Sequence, residues 1–189
     1  MKIYSTIAIT ANDFYRIGDV ISFTLNNGEE VRAIAVKQEP NAMLFCFENC
    51  LSGLRPMNLK QSNDGGYELS EIRRVLNSEI IDLFPAEIRD KMCHFSNGDF
   101  LRLPTEREIF GKNHYGIPED DSILQWEPMK NLRNRIALSS SGDAIEWYWL
   151  SNRANRSCFD FSLVDSSGLQ YSDCADYLHG VRPIFSLIG

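Results

Sequence analysis

The chain has 189 residues, of which 43% are hydrophobic, 24% charged and 11% aromatic, which excludes a disordered chain and suffices for the core of a single folded domain. A formal charge of −7 and a pI near 5.0 argue against nucleic acid as a partner, because such binders neutralise phosphates with a basic footprint. The nearest approach to one is Lys130, Arg133 and Arg135 on an expected helix with Arg153 and Arg156 in an expected loop, scattered charges that read as a solvated face. No apolar run reaches the ~20 residues of a membrane span, and the opening MKIYSTIAITANDF lacks the apolar core and cleavage site of a signal peptide. Membrane insertion is therefore not expected, and the expected location is cytoplasmic or virion-associated.

A first strand is expected over residues 3–9. Residues 20–25 then lead into Asn26-Asn27-Gly28 and residues 31–36 return, a hairpin in which Asn-Gly supplies the positive φ angles of a tight turn. A third strand over residues 42–47 follows Glu39-Pro40-Asn41 and completes an antiparallel meander across residues 18–48. The tripeptide Glu39-Pro40-Asn41 also has the form of a calcium- and sugar-binding signature of C-type lectins. Calcium takes about six to eight oxygen ligands, however, and the partner Trp-Asn-Asp is missing around Trp147 and Trp149, so the tripeptide reads as a turn.

Residues 62–66 form a loop that is the candidate joint between a meander (1–61) and the remainder (62–189). Leu69, Ile72, Val75 and Leu76, continued by Ile80 and Leu83, recur at helical spacing behind Ser70 as N-cap. Pro85 opens a second helical piece over residues 86–92 from its first turn. A short strand is expected over residues 100–103. Thr105 with Glu108 has the form of a capping box, and Gly111 ends that helix. Glu119-Asp120-Asp121 lies in an acidic loop without the spaced ligands of a calcium site. A helix over residues 126–136 would place Met129, Leu132 and Ile136 on one face. With helices in the middle and strands at both ends, the expected class is α+β: an N-terminal antiparallel β-meander, central short helices and a C-terminal twisted antiparallel sheet.

Chemistry is sparse. The histidines are His94, His114 and His179, and adjacent Cys93 and His94 diverge on any regular element, a poor nucleophile and base. No phosphate-cradling glycine pattern, HExxH or GxSxG occurs, so no catalytic residue, metal ligand or cofactor is assigned. The five cysteines match no paired zinc-ligand spacing and read as free thiols. Cys158 and Cys174 are expected on the two arms of one hairpin around Ser166-Ser167-Gly168, where pairing stays open. On an expected strand Trp147 and Trp149 share a face and Tyr148 takes the other; each ring is either core or an anchor for sugar or protein. The loop Asn152-Arg153-Ala154-Asn155-Arg156-Ser157 and the group Asp173, Asp176, Tyr177 and His179 are rich in adaptable hydrogen-bonding side chains. Asn152, Arg153, Asn155 and Arg156 with Asp173, Asp176, Tyr177 and His179 are thus the candidate ligand-binding residues, against the alternative of solvated loops.

The sequence WYWLSN, the Ser-Gly hairpin and the closing GVRPIFSL resemble the C-terminal half of an uncharacterised family of phages, prophages and gut bacteria, whose members end in WWLRS-like and GVRPAF-like segments. GGYELSEIRRVLNSEII and GDFLRLPTEREIFG resemble upstream elements of the same family, extending the likeness over residues 18–187. Its ending is similar to C-type lectin-like folds, which include phage receptor-binding proteins, retroelement-diversified variable proteins and formylglycine-generating enzymes. The resemblance implies a ligand-displaying scaffold with Trp147, Trp149, Gly180, Arg182 and Pro183 as its structural signature. Gly180 would permit close backbone approach, Arg182 would offer a fork of donors to buried carbonyls or a carboxylate, and Pro183 would sit at a strand start or edge. The spacing of Cys158 and Cys174 departs from the cysteine pair of the formylglycine-generating type, which speaks against an oxidase. The expected function is non-enzymatic recognition of a protein or glycan. The alternatives are a structural, oligomeric component of a phage or bacterial surface assembly, and an enzyme using Cys158, Cys174 or His179.

Overall fold

A computed structural model of the chain describes residues 15–188, and the strand expected over residues 3–9 lies outside them. The meander forms as expected: β1 (Val20–Thr24), β2 (Glu30–Glu39) and β3 (Ala42–Phe47) pair antiparallel. The first hairpin turns differently from a two-residue Asn-Gly loop. Only Gly28 has positive φ, and the bonds Gly28 N–H to Leu25 O and Leu25 N–H to Glu29 O close a longer loop ending on a left-handed glycine. Pro40 and Asn41 form the turn between β2 and β3.

All six residues of β3 are buried, so this strand must be covered on both faces and paired along both edges. Its second partner is the last strand, β10 (Ile184–Ile188), and the five-stranded sheet runs β1-β2-β3-β10-β4, with β4 the short Met92–Cys93. The chain end thus belongs to the N-terminal sheet and not to a separate C-terminal one. Pro183 directly precedes β10, where its missing N–H breaks no ladder. Of the expected C-terminal sheet there remain three strands, β7 (Tyr148–Arg153), β8 (Asp160–Val164) and β9 (Gln170–Cys174) in that order; the small pair β5 (Ala137–Leu138) and β6 (Ile145–Glu146) precedes them.

Period-two alternation sorts both sheets into the same two apolar clusters. Ala33, Phe45, Phe185, Trp149 and Leu163 enter one; Ile34, Leu44, Ile184, Tyr148 and Val164 enter the other. Tyr148 and Trp149 are therefore both core, on opposite faces, whereas Trp147 stands outside the strand and is half-buried.

The helices are short: α1 (Glu71–Val75), α2 (Ala86–Arg89), α3 (Glu106–Phe110) and α4 (Leu132–Arg135). Ser70 caps α1 by accepting from Arg73 N–H, and the helical path continues as a wide turn over Leu76–Ile80. Leu69, expected on the buried face, lies in the preceding 3₁₀ turn and is 80% exposed; Tyr67 takes the buried place. Pro85 is the residue before α2, not within its first turn, and α2 stops short of Met92 because that residue pairs with Leu187. Residues 100–103 form no strand, only a bridge between Arg102 and Ile184. The helix expected over residues 126–136 is broken at Asn131, whose extended backbone separates a 3₁₀ turn (Glu127–Lys130) from α4. The break leaves Met129 buried and Leu132 46% exposed. Thr105 and Glu108 form the capping box, and Gly111 closes α3 at φ 77°. The result is an α+β fold of mostly antiparallel strands with few short helices, and among the described residues no helix is long and apolar enough to cross a membrane.

The cysteines are free. Cys174 ends β9 opposite Asp160, whereas Cys158 precedes β8 and is exposed, so the two do not oppose one another across the hairpin as expected. Burial pushes the thiols of Cys46 and Cys50 up, away from the reactive thiolate. Iodoacetamide at neutral pH is expected to label Cys158 first and to leave Cys46 and Cys50 unmodified until the chain unfolds; peptide mass spectrometry over a labelling time course reads the order.

Candidate ligand-binding site

The site is assembled around a buried carboxylate. In antiparallel pairing Trp149 lies opposite Leu163 and Arg153 opposite Phe161, so β7 spends four residue steps where β8 spends two. This bulge turns β7 toward the start of α3. Ser151 N–H donates to Pro104 O at 3.0 Å, and Asn152 Oδ1 accepts from Glu106 N–H at 2.7 Å. Glu106 itself is wholly buried, and its carboxylate accepts from the backbone N–H groups of His114 (3.2 Å), Tyr115 (3.0 Å) and Gly116 (2.9 Å). Asn113 Nδ2 adds a longer bond at 3.3 Å. Three converging N–H groups compensate the desolvation of this charge, and in return they fix the path of residues 113–116.

The loop so fixed then pairs with the end of β7. Gly116 bridges Ala154, Ile117 N–H donates to Arg153 O and Asn155 N–H to Tyr115 O. Gly116 is required by packing: a Cβ there would lie 2.6 Å from Asn152 Cβ and 2.8 Å from Glu106 Oε2. Between the two loops opens a cleft of about 480 Å³ whose walls include Asn113, His114, Tyr115, Asn155, Arg156 and Asp160. A second cleft of about 510 Å³, sharing residues 154–157 with the first, is bordered by Asn63, Asp64, Arg153 and the same Asn155 and Arg156. Asn63 is buried and donates to the carbonyls of Ser157 and Asp160, holding the loop that lines both clefts.

The sequence-derived candidates fall into three sets. Asn155 and Arg156 are exposed and line both clefts, and Arg153 lines one. Asn152 is buried beneath them and is spent on the α3 N-terminus, a supporting position and not a presented one. Asp173 and His179 form a hydrogen-bonded pair, Oδ2 to Nε2 at 3.0 Å, while Asp176 and Tyr177 project from the turn after β9; none of the four lines either cleft.

What joins the sets is a row of rings. His179 stacks on Trp147 (centroids 5.9 Å, planes 13° apart), Trp147 meets Tyr171 edge-on at 5.5 Å, Tyr171 lies 6.1 Å from Tyr115, and Tyr115 touches His114 at 4.6 Å. Tyr171 is 45% exposed on the edge strand β9. The row therefore runs from the cleft wall across the sheet edge to the Asp173–His179 pair. The place of Tyr171 in the strand was findable from the sequence: register counted outward from the Ser166–Gly168 turn sets it opposite Leu163. Tyr115 and Glu106 carried no such signal, because their partners lie in other segments of the chain.

Gly180 and Arg182 serve the frame. Gly180 lets the chain pass against Cys50, Glu146 and Trp147. Arg182 is 1% exposed, donates from Nε to Phe47 O and from Nη1 to Tyr148 Oη, and lies over the Tyr148 ring at 5.1 Å. Fold and site together define an α+β protein with a solvent-open polar cleft extended by an aromatic row. Comparison of the chain with protein-family models, curated proteins and solved structures found no match.

Proposed function

We propose that the chain is a non-catalytic recognition module that binds a glycan along the cleft between residues 113–118 and 154–157 and over the ring of Tyr171. The scaffold is read as similar to C-type lectin-like proteins and to the phage- and prophage-associated family named above. The observation that carries the binding reading is the row of rings leading out of a polar cleft. Sugar rings offer apolar C–H faces to aromatic planes while their hydroxyls need both donors and acceptors, and Tyr171 and Tyr115 beside Asn155, Arg156 and Asp160 offer that combination. A pre-formed concave site held by buried hydrogen bonds also limits the ordering cost of binding.

A glycan array probed with the wild-type chain and with Tyr171→Ala tests this. Retention of a glycan subset by wild type, with about tenfold weaker binding by Tyr171→Ala, is the expected result. Absence of any retained glycan, with the fold intact by circular dichroism, sinks it. A second reading, a structural part of a phage or bacterial surface assembly, is favoured by the exposed Phe159, Tyr177 and Leu178 at the β9 end of the molecule. It requires a defined oligomer in light scattering that Tyr177→Asp dissociates.

A further inference from the structure

A third cleft, of about 360 Å³, shares no lining residue with the two around Asn155. Its walls combine the apolar side chains of Ile34, Ile136 and Leu138 with Arg133 and the buried Arg182. A guanidinium withdrawn from water is costly unless an anion or a full set of acceptors compensates it. Arg182 has neither. Its Nε and Nη1 are bonded to Phe47 O and Tyr148 Oη, no hydrogen bond from the described residues engages Nη2, and no carboxylate of the described residues lies within ion-pair distance.

The groups packed around it do not supply the charge either. Burial pushes Cys46, Cys50 and Tyr148 up, so all three are neutral near pH 7. Glu48 also faces the cleft, but its carboxylate is engaged by Arg32. Arg133, exposed at the rim, has no ion pair among the described residues, so the cleft keeps an excess of positive charge.

We infer that this cleft binds a small organic acid, its carboxylate on Arg182 and Arg133 and its apolar body against Ile34, Ile136 and Leu138. A guanidinium edge fits a carboxylate in plane, and the apolar wall selects against fully hydrated inorganic anions. The volume sits at the lower end of small-molecule sites, which suits an acid with one ring or a short chain.

Titration of the full chain with sodium benzoate, against sodium chloride at equal ionic strength, tests the inference by amide NMR. Saturable shifts centred on Asn49, Asn134 and Leu138 are expected, with about tenfold weaker binding in Arg133→Glu. Arg182→Lys, which keeps the charge and loses the fork, is expected to weaken benzoate by a similar factor; should it fail to fold, Arg133→Glu decides alone. The inference is overturned if benzoate causes no saturable shift, if Arg133→Glu binds as wild type does, or if inorganic phosphate shifts these amides and benzoate does not.

Discussion

Glu106→Gln is expected to lower stability by about 3 kcal/mol and to loosen the cleft before the rest of the fold gives way. The substitution keeps size and shape but replaces one carboxylate oxygen by an amide donor. Bonds to a charged group contribute about 1.5–3 kcal/mol, and a buried donor facing other donors adds a desolvation penalty. The oxygens concerned accept from His114, Tyr115 and Gly116, so the loss falls on the loop that carries the cleft wall. Urea denaturation should show the lowered midpoint at unchanged slope, and hydrogen exchange should show early deprotection at residues 114–116. If exchange at these amides matches wild type, Glu106 does not hold the loop.

Gly180→Ala is expected to cost about 2–3 kcal/mol, through packing alone. The residue has no positive φ, so alanine meets no backbone strain, but a Cβ would lie 2.5 Å from Cys50 Sγ, 2.9 Å from Glu146 Oε2 and 3.0 Å from the Trp147 carbonyl oxygen. That oxygen cannot retreat freely, because it accepts from Gly180 N–H at 2.8 Å. Gly28→Ala is the matched control: its φ is +89° and nothing lies within 4 Å of the added atom, so its cost is conformational only, about 1 kcal/mol. Thermal unfolding of the two variants side by side separates the mechanisms. Equal shifts would mean that close approach at Gly180 carries no special weight.

Local rules were legible where a few neighbouring residues decide the outcome. The capping box of Thr105 and Glu108, the Ser70 cap, the Ser166–Gly168 turn and the meander of residues 18–48 follow from such rules, and the structure has them all. Apolar periodicity misled where a competing partner existed. Leu69 matches the helix face in spacing, yet Tyr67 fills the core there with its hydroxyl bonded to Leu103 N–H. Residues 126–136 carry a helical pattern, yet Asn131 breaks it and its side chain caps α4 by accepting from Arg133 N–H.

The candidate site divides in the same way. Its polar, adaptable loop at Asn155 and Arg156 was visible from composition, because loops rich in hydrogen-bonding side chains read as surface without any knowledge of packing. Tertiary structure alone decided that Asn152 turns inward, that β10 inserts beside β3, and that Glu106 gathers the N–H groups of residues 114–116. The physical reason is that these outcomes satisfy buried donors, acceptors and a two-faced apolar strand with partners far along the chain, from β10 beside β3 to Asn152 beside Glu106. No local preference encodes such a pairing; only the closed fold, in which most buried groups find a complement, selects it.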